Sequence, residues 1–175
     1  MRRVIYGCAM SLDGYVAGPN GEYDWIVTDP SIDFVARMAK FDALLVGRKT
    51  FDAMMKAGRP TMLGIKTFVF SRTLKPSDDA DVSIYADAER VVAELRTKSG
   101  KDIALFGGGQ LFRSLLAAGQ VDRIEISVIP VLLGGLQPSE LVGCAVQLGI
   151  DTYRSVTPLK QHNICTAGYA PSQRV

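Results

Sequence analysis

The chain has 175 residues, 47% of them hydrophobic and 22% charged, with a net charge of +2. That composition excludes a disordered or fibrous chain, and this length buries roughly 70% of its unfolded surface as one domain over 1–175 without disulfides or metal. Its 20 basic residues are scattered among 18 acidic ones rather than gathered on one stretch, so nucleic acid is not an expected partner.

Short apolar runs alternate with helical patterns, which predicts an α/β fold with a mostly parallel sheet. Strands are expected over 4–9, 43–46, 67–70, 82–85 and 103–106. Most are apolar at consecutive positions, as in strands buried on both faces, and are expected to be interior. A first helix is predicted near 30–40, with Asp29 as its cap, Pro30 behind it, and Ile32, Val35 and Met38 on one face. In the second, Phe51, Met54 and Met55 share a face and Gly58 ends the helix. Asp87 caps a third, in which Val91, Val92 and Leu95 face the core and Glu94 stands four residues before Lys98. Leu111, Leu115 and Ala118 stripe a fourth, closed by Gly119. Ile124, Ile126 and Val128 then alternate with Glu125 and Ser127, the pattern of a strand with unlike faces. Weak strand signals around 146–156 and 161–169 suggest a C-terminal antiparallel hairpin.

Cys8, Cys144 and Cys165 cannot all pair within one chain and lack the spacing of a disulfide framework, which fits a reducing compartment. The basic start is followed by an apolar run that Asp13 interrupts, without a cleavage region, and no run of 18 apolar residues exists. A cytoplasmic protein without a membrane partner is the expectation.

Three predicted strand-to-helix junctions carry groups suited to phosphate, and a parallel sheet would open all three at one carboxyl edge. In Gly107-Gly108-Gly109-Gln110-Leu111 the glycines let backbone approach a ligand and the helix start aims N–H groups at an anion, although a tight turn would need the same residues. Phe112 stands where a Rossmann fingerprint requires its third glycine. Gly47-Arg48-Lys49-Thr50 puts cations at a helix start, where they oppose the dipole unless a phosphate is bound or water solvates them. It is not a P-loop, which requires glycine directly before the lysine. Ser71-Arg72 after a strand suits a ribose 2′-phosphate, and equally an ordinary surface pair.

Near the N-terminus, Ser11-Leu12-Asp13-Gly14-Tyr15-Val16-Ala17-Gly18 leads to Asp24-Trp25 and is a candidate mobile loop. Asp13 there is either a turn residue or a catalytic or substrate contact, and Trp25 either a core aromatic or a substrate wall. His162 and Cys165 have half a zinc spacing, but in a strand they would point to opposite faces, and the single histidine anchors no triad. Acid chemistry then falls to a carboxylate, lysine, tyrosine or water; the carboxylates near the expected site are Asp13, Asp29 and Asp33.

In this order and spacing, these segments together with Val121-Asp122 and the 130–135 stretch (Pro130 to Gly135) resemble the dihydrofolate-reductase-like superfamily. More closely, the chain is similar to stand-alone proteins related to the reductase domain of the riboflavin-biosynthesis deaminase-reductase. The resemblance covers roughly residues 3–136. It implies a mixed, mostly parallel twisted sheet of about eight strands with helices on both faces, binding NADPH across its carboxyl edge, and a homodimer. Gly47, Arg48 and Thr50 match the family's phosphate-binding helix start, and Ser71 and Arg72 its 2′-phosphate contacts. Gly107, Gly108, Gly109, Gln110 and Leu111 match the pyrophosphate loop, and Ala9, Ala17 and Gly18 the backbone beside the nicotinamide and lid.

The departures concern the substrate. Where dihydrofolate reductases carry an acid on the first helix this chain has Ser31, with Asp33 two residues later; where they hold the folate tail with arginine it has Ile65. Losing that charge-assisted partner removes about 1.5–3 kcal/mol per hydrogen bond, which disfavours folate. Ser127 matches the hydroxyl facing the pterin site. After Gly135 the family's continuation is replaced from Leu136 onward. The resemblance thus implies an NADPH-dependent reductase moving a hydride to a C=N or C=O group of a pteridine- or pyrimidine-like heterocycle. Asp13, Trp25 and Ser127 are the substrate candidates, and Asp33, Asp13 or an ordered water the proton source. The alternative is an NADPH-binding sensor or interaction protein without turnover.

Overall fold

The computed structural model describes residues 1–18, 21–27 and 32–133, and the backbone of 155–158 and 165–169. The chain divides into two compact units, Met1–Tyr6 with Asp33–Asp122, and Gly7–Ile32 with Arg123–Val175. Strand β1 (Val4–Ser11) begins in the first and ends in the second.

The first unit alternates strand and helix: α1 (Phe34–Met38), β2 (Phe41–Gly47), α2 (Arg48–Lys56), β3 (Lys66–Phe70), β4 (Val82–Tyr85), α3 (Ala88–Thr97), β5 (Asp102–Gly107) and α4 (Gly109–Ala117). Its strands lie in the order β4-β3-β2-β5-β1, and every pair is parallel. Ala43, Leu44, Leu45 and Val46 are all at most 2% exposed, so both faces of β2 are covered. Leu44, Val46, Val69, Val82 and Ala104 share one cluster with Met38, Phe51, Met54 and Ile65. By strand alternation Leu45 and Leu105, equally buried, belong to the opposite face. Each such side chain contributes about 1.5–3 kcal/mol of burial, which explains why consecutive apolar residues make interior strands here. The exception is β4, which ends the strand order instead of lying inside it. Its sequence shows why: Val82, Ser83, Ile84 and Tyr85 alternate, and only Val82 is buried.

Helix ends follow local chemistry. The Asp87 carboxylate accepts from Arg90 N at 3.1 Å and caps α3, whose Val91, Val92 and Leu95 are buried as expected. Gly58 and Gly119, at φ of +68° and +66°, follow the ends of α2 and α4. Other expectations are corrected. The first helix starts at Phe34 with Asp33 as its cap, while Asp29 lies outside the described residues. Only five residues long, it buries Met38 and leaves Val35 62% exposed. Met55 is 52% exposed, since the core face of α2 passes through Phe51 and Met54. On α4 the stripe is Leu111, Phe112 and Leu115, Ala118 being the exposed residue after the helix. Glu94 pairs backward with Arg90, Nη1 to Oε1 at 2.5 Å, rather than with Lys98, which lies past the last helical turn.

At the amino edge of this sheet Arg2 is buried. Its guanidinium donates to Lys101 O at 2.6 Å and to Leu95 O at 3.5 Å, and pairs with Asp42. Beside it Asp102 accepts from Arg3, with Nη2 at 2.5 Å and Nε at 3.1 Å. Hydrogen bonding from Arg3 holds the Asp102 carboxyl below its ordinary range, against the opposing effect of burial. A depressed folded value stabilises the protein above the unfolded carboxylate pKa, and this is lost as pH falls through the folded one. Asp102→Asn should therefore lower the urea midpoint near neutral pH and converge with wild type in acid. Midpoint curves that stay parallel across the acid range would refute this.

In the second unit, β6 (Arg123–Ile129) pairs antiparallel with β8 (Cys165–Tyr169), and β8 antiparallel with β7 (Ser155–Pro158). Ile124 and Ile126 are buried as their alternation predicts, but the third buried position is Ile129 rather than Val128. The rest of the expected strands over 146–156 and 161–169, with His162 and Cys144, falls outside the described residues.

Candidate functional site

In the first unit the three glycine and serine junctions reach one edge. Val46 is level with Gly107 across β2 and β5, and Gly47 with Phe70 across β2 and β3. The first two junctions touch through backbone. A Cβ on Gly108 would meet Gly47 Cα at 3.6 Å, and one on Gly107 would meet Thr50 Oγ1 at 3.1 Å. Gly108 also has φ of +82°, a conformation that side-chain-bearing residues rarely adopt. Glycine is thus favoured at Gly107 by close approach and by its φ of +153°, and at Gly108 by dihedral angle.

Two nine-residue helices therefore begin side by side, α2 after Gly47 and α4 after Gly108. Neither has a side-chain cap nor an acidic residue in its first turn, whereas α1 and α3 are capped by Asp33 and Asp87. The amides of Arg48, Lys49 and Thr50, and of Gly109, Gln110 and Leu111, have no intrahelical acceptor, and both dipoles present their positive ends. Such a pair suits a diphosphate. Leu111 can serve it only through its backbone, because its side chain is buried at 8% exposure. Gln110 is exposed in the first turn. Phe112 stacks on Tyr6 with ring centroids 4.0 Å apart, which is why an aromatic replaces the glycine of a Rossmann turn.

The third junction joins the second through a side chain. Arg48 donates to Thr73 Oγ1, and its Nε lies 3.5 Å from Asp52 Oδ2. Ser71 Oγ accepts from Thr73 N at 3.2 Å and from Leu74 N at 3.1 Å, closing the turn. Arg72 is exposed in that turn and has no hydrogen bond or ion pair among the described residues. Thr73 was not among the sequence-predicted residues; the signal was there in Ser71-Arg72-Thr73, a serine two residues before a second hydroxyl, the pattern of a side-chain-closed turn.

The second unit holds Ala9, Asp13, Ala17, Gly18, Trp25 and Ser127. Asp13 is spoken for. It accepts from Ser11 Oγ at 2.6 Å and from Leu133 N at 3.1 Å, while Ser11 Oγ, wholly buried, accepts from Tyr15 N at 2.9 Å. Both carboxylate oxygens act as acceptors, so Asp13 clamps the loop after β1 to residue 133. Gly18 N donates to Glu22 O at 2.8 Å, and Trp25 Nε1 to the same carbonyl at 3.2 Å. Ala9 lies on β1 and Ser127 on β6, both half-buried. Asp33, placed in the first unit, is exposed, with Oδ1 accepting from Ala36 N at 2.8 Å. Ser31 lies outside the described residues.

A separate cavity of about 430 Å³, lined by Arg2, Arg96, Lys98 and Asp102 among others, opens at the amino edge, away from these junctions. Among the described residues no helix is long and apolar enough to cross a membrane.

Comparison with known proteins gives the chain a family. The chain is 35% identical over 149 residues to the uncharacterised protein YyaP of Bacillus subtilis (strain 168), covering 78% of this chain and 79% of that one. It is also 35% identical over 127 residues to dihydrofolate reductase type 6 of Proteus mirabilis, covering 73% and 74%. A crystal structure of a candidate riboflavin biosynthesis protein from Shewanella sp. PV-4 superposes with a TM-score of 0.70 at 26% identity, over 96% of this chain and 98% of that one. Residues 2–168 match the RibD C-terminal domain, and the chain belongs to that family.

Proposed function

We propose that the protein is an NADPH-dependent reductase of a C=N or C=O group in a small pyrimidine- or pteridine-like heterocycle. The observation that carries this reading is the convergence of two uncapped helix starts on Gly47, Gly107 and Gly108, with Arg48 extended to the Ser71–Leu74 turn. These residues fit the cofactor: two helix N-termini for a diphosphate, and Arg48, Arg72 and hydroxyls for a further phosphate. When bound, NADPH supplies the hydride.

The chain's own work is to hold and orient. The amides of 48–50 and 109–111 fix the diphosphate, and the glycines allow it to approach the backbone. Arg48, Ser71 and Arg72 hold the 2′-phosphate. Ala9, Ala17 and Gly18 are proposed for the nicotinamide side, Trp25 and Ser127 for the substrate. With Asp13 engaged as a clamp, the proton is assigned to the second oxygen of Asp33, left open by the cap, or to an ordered water. A homodimer, implied by the family resemblance, belongs to the same proposal.

Thermal shift tests the cofactor first. A ligand at 100 times its Kd adds about 2.7 kcal/mol, so NADPH should raise the melting temperature by several degrees and NADH by clearly less. Equal or absent shifts would overturn the reading. Oxidation of NADPH with a panel of aminopyrimidines, pterins and small imines then tests turnover. Strong binding without oxidation of any of them would favour the sensor reading, which shares the same phosphate junctions.

A further inference from the structure

Arg48 stands at the first position of α2, where its cation opposes the helix dipole, yet its side chain does not remain there. It reaches 25 residues along the chain to the hydroxyl of Thr73. A guanidinium can only donate, so Thr73 Oγ1 is the acceptor. Ser71 Oγ already accepts from Thr73 N and Leu74 N and lies 3.4 Å from Thr73 Oγ1. The two hydroxyls thus receive three donors from their surroundings and own two hydrogens, of which their mutual contact uses one. One O–H is left over beside Arg48, in the turn that also carries the exposed, uncommitted Arg72. Apart from Asp52 at the Nε side of Arg48, the cluster offers donors and positive charge.

We propose that Thr73 is a positioning residue for cofactor choice: by accepting from Arg48 it holds that guanidinium at the Ser71–Leu74 turn, so that Arg48 and Arg72 close on one phosphomonoester. This rests on the NADPH reading above, with the 2′-phosphate as the group held. Thr73 acts through Arg48, which without the hydroxyl is held by Asp52 alone at its Nε side and loses its fixed direction toward the turn.

Calorimetric titration with adenosine 2′,5′-bisphosphate and adenosine 5′-monophosphate tests it without any substrate. Thr73→Val keeps the shape and removes the acceptor; affinity for the bisphosphate should fall about tenfold and for the monophosphate less than about twofold. Thr73→Ser should restore the wild-type ratio. In an Arg48→Gln background, Thr73→Val should have no further effect, because the partner through which it acts is gone. An unchanged ratio in Thr73→Val, an equal loss for both nucleotides, or a full additional loss in the Arg48→Gln background would each overturn the inference. A wild-type protein that does not distinguish the two nucleotides would instead overturn the NADPH reading, and the inference with it.

Discussion

Gly108→Val should abolish detectable NADPH binding and lower the melting temperature by about 2–12 °C. The stability loss follows from φ of +82°, where a side-chain-bearing residue stores about 1–3 kcal/mol, and from the temperature shift of about 2–4 °C per kcal/mol for a chain of this size. Binding is lost for a different reason. The new Cβ itself would make only ordinary contacts, 3.6 Å from Gly47 Cα and 3.9 Å from Thr50 Oγ1, but the two methyl groups it carries would take up space beside the helix starts that the proposed diphosphate needs. Gly119→Ala separates the two effects. Gly119 has a comparable φ of +66° but no atom within 4 Å of a built Cβ, so it should lose stability and keep NADPH affinity. Wild-type affinity in Gly108→Val, measured by titration, would remove the diphosphate from this junction.

Arg72→Glu should weaken NADPH binding by about 10- to 100-fold while NADH changes by less than about threefold. A charge-assisted hydrogen bond to phosphate contributes about 1.5–3 kcal/mol, and the substituted carboxylate adds repulsion. Arg72 is exposed and unpaired among the described residues, so folding stability should move by no more than about 0.5 kcal/mol. This selectivity makes the experiment sharp. A matched loss for both dinucleotides, or none, would place the 2′-phosphate elsewhere.

Much of the chemistry was legible because it depends on local backbone. Strands β2 and β5 carry the unbroken apolar runs 43–46 and 103–106, each followed directly by glycine, and both glycines were expected at the carboxyl edge of a parallel sheet, where they are found. Asp87, Gly58 and Gly119 announce helix ends through their own side chains or dihedral freedom. The errors occur where a neighbour in space decides. Met55 and Ala118 fit a helical period, yet which arc of a helix is buried depends on the strand beneath it. Glu94 had cations on both sides at helical spacing and took Arg90, because Lys98 no longer continues the helix.

The candidate site divides in the same way. Glycines at 47, 107 and 108 could be picked out as ligand-facing, but their mutual approach is a property of the β2–β5 pairing. Asp13 carries the same sequence pattern whether it meets substrate or closes a loop, and the amide that claims it is 120 residues away at Leu133. Outside that site, Arg2 is buried with Asp42 and the distant carbonyls of Leu95 and Lys101 accepting from it, partners that only the folded chain brings together.

By itself, then, the sequence determined the alternation of strand and helix, the parallel sheet, and the positions of the phosphate-type junctions. These follow from periodicity, turn residues and helix caps, all of which act within a few residues. Only the tertiary structure decided that Arg48 crosses to Thr73, that Asp13 is a clamp, and that two helix starts share one glycine-lined point. Those outcomes depend on strand order and register, which set distances between residues that the chain keeps far apart.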